Sequence, residues 1–161
     1  MKLAWWRSEL EKEHGEGDSQ PPDPLIASLA VHFGDRTDVP IGLIDGWENL
    51  VGERPWTEKE SSDFIISRGD TFASLALLSS RPDAMLAASK HGRCWAMADL
   101  ALMQADTVSA ELSPLPPLPS DLRALAVIGG LSYRALKRGG KPLFGDRFSP
   151  LAALRLGIFG S

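Results

Sequence analysis

Residues 92–107, GRCWAMADLALMQADT, constrain the fold of this chain more than any other stretch. The spacing predicts one helix, apolar on nearly every side, interrupted only by Arg93, Asp99, Gln104, Asp106 and Thr107. A helix that is apolar all round needs neighbours all round. Seven residues advance about two turns, so Asp99 and Asp106 share a face with Trp95, Leu102 and Met103. Their Cα atoms are then about 10 Å apart along the axis. That is too far for two carboxylates alone to hold one Mg²⁺, which takes its oxygen ligands at about 2.1 Å. A buried carboxylate must find a partner or stay protonated. The simplest expectation is that Asp99 bonds a neighbouring helix while Asp106 meets water near the helix end.

The rest of the chain supplies the neighbours. LAWWRSEL places Leu3, Trp6 and Leu10 on one side of a first helix. GEGDSQPPD is a loop by composition. PLIASLAVHF starts on Pro24, where a missing N–H costs nothing. VPIGLIDGWENLV aligns Ile41, Ile44 and Val51, and GERPW breaks it. Thr57 and Glu60 form a capping-box pair that opens a long helix through SSDFIISRGDTFASLALL. Pro82 is placed to start the helix that contains residues 92–107, and SPLPPLP ends it. Ser120 and Asp121 open DLRALAVIGGLSYRALKR, which closes on basic residues and Gly139-Gly140. Ser149-Pro150 starts a last helix, PLAALRLGIF. About seven helices result, and no run alternates as a half-buried strand would. The Gly129-Gly130 pair weakens its helix and predicts close packing there.

Composition narrows the function classes. A chain of 161 residues with 43% hydrophobic and 24% charged residues suits one globular domain, spanning 1–161. Its net charge of -4 and pI near 5.4 argue against a nucleic-acid partner. A lone cysteine, Cys94, excludes a disulfide framework, is expected to be a buried, inert thiol, and fits a reducing cytoplasm. No apolar run approaches the roughly 20 residues of a membrane helix. MKLAWWRSELEKEH is not a signal peptide, because charges return at Arg7 and Glu9. It reads as an amphipathic helix with no capping residue before it, which predicts a domain incomplete at its N-terminus. There is no Gly-rich phosphate loop, nucleophile elbow or paired-histidine zinc helix. His14, His32 and His91 are scattered, and each is expected at the surface or near a helix end. No residue is therefore assigned as catalytic and none as a metal ligand.

Three segments, in order, resemble the squalene/phytoene synthase family, the head-to-head isoprenoid synthases. KLAWWRSEL resembles the family's RLAWWR helix, and LIDGWENLVGERPW its LIDGMEMDL segment. SYRALKRGGKPLFGDRFSPLAALRL resembles its C-terminal run. The resemblance implies an all-α, terpenoid synthase-like orthogonal helical bundle around a cavity. For active members it implies Mg²⁺-dependent condensation of two prenyl diphosphates, the metal stabilising the departing diphosphate. The chain departs from the family at the metal motifs. The first acidic motif belongs to helices preceding LAWWR. The second, laid from Gly92, puts Cys94 for an alanine, Trp95 for an aromatic and Asp99 for an asparagine. Leu102 then replaces an arginine, Met103 the first aspartate and Thr107 the second, while Leu50 stands where the other segment has an aspartate.

The resulting expectation is a family member that has lost catalysis and acts as a scaffold, assembly or lipid-binding partner, with no cofactor. Trp95, Asp99, Leu102, Met103 and Asp106 are the candidate cavity residues. Arg134, Lys137 and Arg138 are the candidates for an anionic lipid or phosphate. With Lys141, Arg147 and Arg155 they make the last thirty residues cationic, which suits a cytoplasmic protein held peripherally on an anionic membrane. A truncated bundle would also expose an apolar groove, favouring a protein partner or self-association. The alternative is an active prenyl transferase using Mg²⁺, with the missing helices supplied by a longer chain or a partner.

Overall fold

Caps and prolines set where several of the helices begin. The computed structural model describes residues 2–12, 23–104 and 112–159, and these are all helix, turn or loop, without strands. The helices are α1 (Lys2–Glu11), α2 (Pro24–Phe33), α3 (Asp38–Glu48), α4 (Glu58–Leu78), α5 (Met85–Gln104), α6 (Arg123–Lys137) and α7 (Ser149–Phe159). Asp23 caps α2, its Oδ1 accepting from the Leu25 amide at 2.9 Å, with Pro24 at the first helical position. The capping box of α4 is complete. Thr57 Oγ1 accepts from the Glu60 amide at 3.2 Å, and Glu60 Oε2 accepts from the Thr57 amide at 2.7 Å. Pro82 opens a 3₁₀ turn, Pro82–Ala84, that runs directly into α5.

From α3 onward, helices adjacent in sequence pack against one another. α3 lies on α4, α4 on α5, α5 on α6 and α6 on α7, while α1 touches α2 and α3. α5 is therefore the central element, as its all-round apolarity requires. Its buried residues include Ala88, His91, Cys94, Ala96, Ala98 and Leu100, which cannot share one face of a helix. Gly92 permits the close α4–α5 crossing: a Cβ there would stand 2.3 Å from the Arg68 carbonyl oxygen.

At the other end Leu10 packs with Ile26 and Ile44, joined by Leu3 and Trp6, the stripe expected of α1. Arg7 ties α1 to α3 by ion pairs to Asp45 and to Glu48, the latter at 2.8 Å. Two expectations need correction. Val51 is exposed and lies beyond α3, which ends at Glu48. The chain turns there and buries Leu50 instead, against Phe64, Ala96 and Leu100. His91 is neither at the surface nor near a helix end. It is buried within α5, because the Pro-rich segment after that helix folds back over it and Pro116 offers its carbonyl to Nε2 at 2.8 Å. Gly129 of α6 faces the same ring, where an added Cβ would come within 2.3 Å of Nδ1. No helix among the described residues is long and apolar enough to cross a membrane.

Candidate functional site

Two places in the bundle bring the candidate residues together with charge. The first is the α4–α5 interface. Phe64, Arg68 and Phe72 follow at intervals of four, so Arg68 shares the inward face of α4 with two buried aromatics. Its residue is 1% exposed. The guanidinium carbon lies 3.7 Å from the Trp95 ring centre, 4.9 Å from Phe64 and 5.3 Å from Trp47. Such aromatic faces stabilise a cation. Asp99, one turn after Trp95 on α5, brings Oδ2 to 3.4 Å from Nη1, an ion-pair distance rather than a hydrogen bond. Burial lowers the Arg68 pKa to about 10, against the opposing pull of Asp99. Burial likewise raises the Asp99 carboxyl, partly offset by Arg68.

Asp99 thus bonds a neighbouring helix, as the plainer reading of the sequence has it. Of the other candidate cavity residues, Trp95 lies against the same guanidinium, while Leu102 and Met103 do not reach it. Met103 packs beside Leu50, Phe64 and Leu100, and Leu102 is 48% exposed. Asp106 lies outside the described residues, as do Thr107 and His14. Cys94 is buried, and burial pushes its thiol up to about 12, which makes it a poor nucleophile. Among the described residues no three His, Cys, Asp or Glu side chains come together as a metal site.

The second place is a groove of about 490 Å³ between α6 and α7. Gly130, Arg134, Lys137 and Arg138 recur at helical spacing along one face of α6, so the three expected anion-binding residues line one wall together. α7 adds Arg155 and the apolar pair Ala152 and Leu156. An acid from the turn before α7 pairs with two of these arginines. Asp146 Oδ2 accepts from Arg134 Nη2 at 2.9 Å and lies 2.6 Å from Arg138 Nη1. Its Oδ1 accepts from the Phe148 amide at 2.8 Å and from the Ser149 hydroxyl at 3.1 Å, securing the start of α7. Partial burial works against its ionisation, but hydrogen bonds from Arg134, Phe148 and Ser149 outweigh it and hold the carboxyl at about 2. Arg134 Nε remains a buried donor without a hydrogen-bond acceptor. Guanidinium donors and ammonium charge beside an apolar wall recognise an anionic head joined to an apolar body.

Sequence reading missed Arg68 altogether and left Arg155 out of the anion-binding set. The signal for Arg68 is its four-residue spacing from Phe64 and Phe72. For Arg155 no local signal exists, since its place depends on how α7 returns onto α6. Comparison with protein-family models, with curated proteins and with solved structures returned no match.

Proposed function

We propose that this chain is a non-catalytic relative of the squalene/phytoene synthases, and that its α6–α7 groove binds an anionic amphiphile with a phosphate-like head and an apolar body. The groove itself carries the proposal: four cations, Arg134, Lys137, Arg138 and Arg155, converge beside Gly130, Ala152 and Leu156. In this reading the finer fold is a terpenoid synthase-like bundle. Support comes from the meeting of two of the segments that resemble the family, where Arg7 of LAWWR pairs with Asp45 and Glu48 of LIDGWE. A bundle of this kind serves as a lipid-holding scaffold or assembly partner.

Mg²⁺ has no suitable place on the described part of α5. The family position for the first aspartate is Met103, a thioether packed among apolar side chains. Asp99, the α5 carboxylate at the α4–α5 interface, is already neutralised by Arg68. A divalent cation beside that guanidinium would be repelled, and Mg²⁺ prefers several oxygen ligands.

The test is a calorimetric titration of farnesyl diphosphate into the full chain, without divalent metal, alongside a diphosphate-release assay with Mg²⁺. Saturable binding is expected, weakened about tenfold or more by Arg138→Glu, the scale of one lost charged hydrogen bond. Release should not exceed that of buffer. Equal binding by Arg138→Glu would remove the groove from the proposal. Metal-dependent release would restore the prenyl transferase reading.

A further inference from the structure

We propose that the outward face of α7, with the turn before it, is a docking surface for an anionic lipid bilayer. Arg155 is the one charged residue between Ser149 and Phe159. One side of the helix faces α6, where Leu156 covers Gly130 and Gly157 approaches Val127. The opposite side should then be polar, as on an ordinary surface helix. It is not. Leu151, Leu154 and Ile158 are 63%, 60% and 49% exposed, and their spacing aligns them in one stripe. Phe144 and Phe148, in the turn before the helix, are 68% and 50% exposed. Five large apolar side chains exposed between residues 144 and 158 call for a cover.

Charge identifies the cover. Residues 123–159 hold seven Lys or Arg and a single acid, Asp146, whereas the remainder of the chain holds ten against twenty. Asp146 is occupied by Arg134 and Arg138. Lys141, Arg147 and Arg155 are exposed, Arg155 on α7 itself and Arg147 two residues before it. The Arg147 guanidinium lies 4.9 Å from the Phe148 ring centre, so cation and aromatic reach the same surface. Cations at the rim of an apolar stripe match a bilayer interface: the apolar side chains enter the acyl boundary while the cations stay among the phosphates. From Leu151 to Ile158 the stripe runs about 10 Å, so α7 lies along the interface. A second copy is the poorer cover. Two-fold pairing of α7 on α7 sets a patch against itself and brings Arg147 and Arg155 of both copies together.

The experiment is co-sedimentation of the full chain with phosphatidylcholine vesicles, with and without phosphatidylserine. Partition onto the phosphatidylserine vesicles is expected to exceed that onto phosphatidylcholine alone and to fall with salt. Leu154→Glu should lower it about tenfold or more by placing a charge in the stripe. Arg147→Glu should lower it about fivefold or more, the scale of one basic residue at an anionic surface, and flatten the salt dependence. Both positions are exposed, and an unchanged thermal melt establishes that each variant is folded. Leu154→Glu should leave farnesyl diphosphate affinity unaltered, which separates this surface from the groove. The proposal is overturned if wild type ignores phosphatidylserine or if Leu154→Glu partitions equally well. It is also overturned if the wild-type chain self-associates through this face, in a Leu154→Glu-sensitive way, without binding vesicles.

Discussion

Arginine meets a lone aspartate both at the α4–α5 interface and in the α6–α7 groove, and the two meetings have opposite electrostatic consequences. Between α4 and α5, Arg68 is enclosed by Trp47, Phe64 and Trp95, and burial weakens the ionised form of both partners. In the groove, Asp146 is shared by two arginines and a helix start, and its carboxyl is held at about 2. The interior pair replaces the solvation both charges lost. The groove pair leaves an excess of cations facing an opening. The chemistry of the residues is the same, and access to water decides whether it holds a core together or receives a ligand.

The largest effect is expected at Arg68. Arg68→Ala should cost about 3–5 kcal/mol, because it opens a cavity and strands Asp99 without its counter-charge. Joint replacement by Met at 68 and Leu at 99 should restore most of that loss, as apolar substitutes for buried ion pairs do. Guanidinium unfolding midpoints measure both. A single variant as stable as wild type would show that the pair does not hold α4 to α5.

Two adjacent glycines sharpen the contrast. Gly129→Ala drives a methyl into His91 and should cost about 1–3 kcal/mol, since that ring is fixed by Pro116. Gly130→Ala meets only the end of Leu156, 2.7 Å away, a side chain able to turn toward the groove. Its cost should be offset by better helix propensity, about 1 kcal/mol. Equal destabilisation of the two variants would mean the groove wall is as rigid as the core.

The pH dependence separates the regions next. Burial lowers the His91 pKa below its ordinary 6.5, despite the bond to Pro116. The unfolded chain then binds a proton that the folded chain does not, so stability falls as pH drops below 6.5. The slope for this one group reaches at most about 1.4 kcal/mol per pH unit. Thermal melts between pH 7.5 and pH 5 should show the decline, and His91→Gln, which retains a donor for Pro116, should flatten it. Asp146 behaves oppositely in position: its stabilisation is complete above its ordinary 3.8 and is lost as pH falls through about 2. The smallest effect expected is at the groove. Asp146→Asn should tighten inorganic pyrophosphate binding several-fold, about 1 kcal/mol, by releasing Arg134 and Arg138. Unchanged affinity in calorimetry would show that the two arginines do not bind the anion.

Local signals were legible in the sequence because their causes are local. The Thr57–Glu60 capping box, the prolines at 24 and 82 and the stripe Leu3–Trp6–Leu10 depend on residues within one or two turns. Arg134, Lys137 and Arg138 share a face by helical spacing alone, so that wall of the groove could be read as well. The all-round apolarity of residues 92–104 likewise announced a central helix. The positions of Val51 and His91 were not legible, for each turns on a chain reversal. α3 stops at Glu48 and Leu50 takes the buried place, while Pro116 returns over α5 and removes His91 from water.

The sequence by itself therefore determined the helical class, most helix starts and the cationic wall on α6, all governed by interactions a few residues long. Only the tertiary structure decided that Arg68 answers Asp99 across two helices, that Arg155 joins the groove, and that the apolar side of α7 faces outward. Those outcomes depend on which helix packs on which. The free energy of such packing is summed over long-range contacts, which no single stretch of sequence contains.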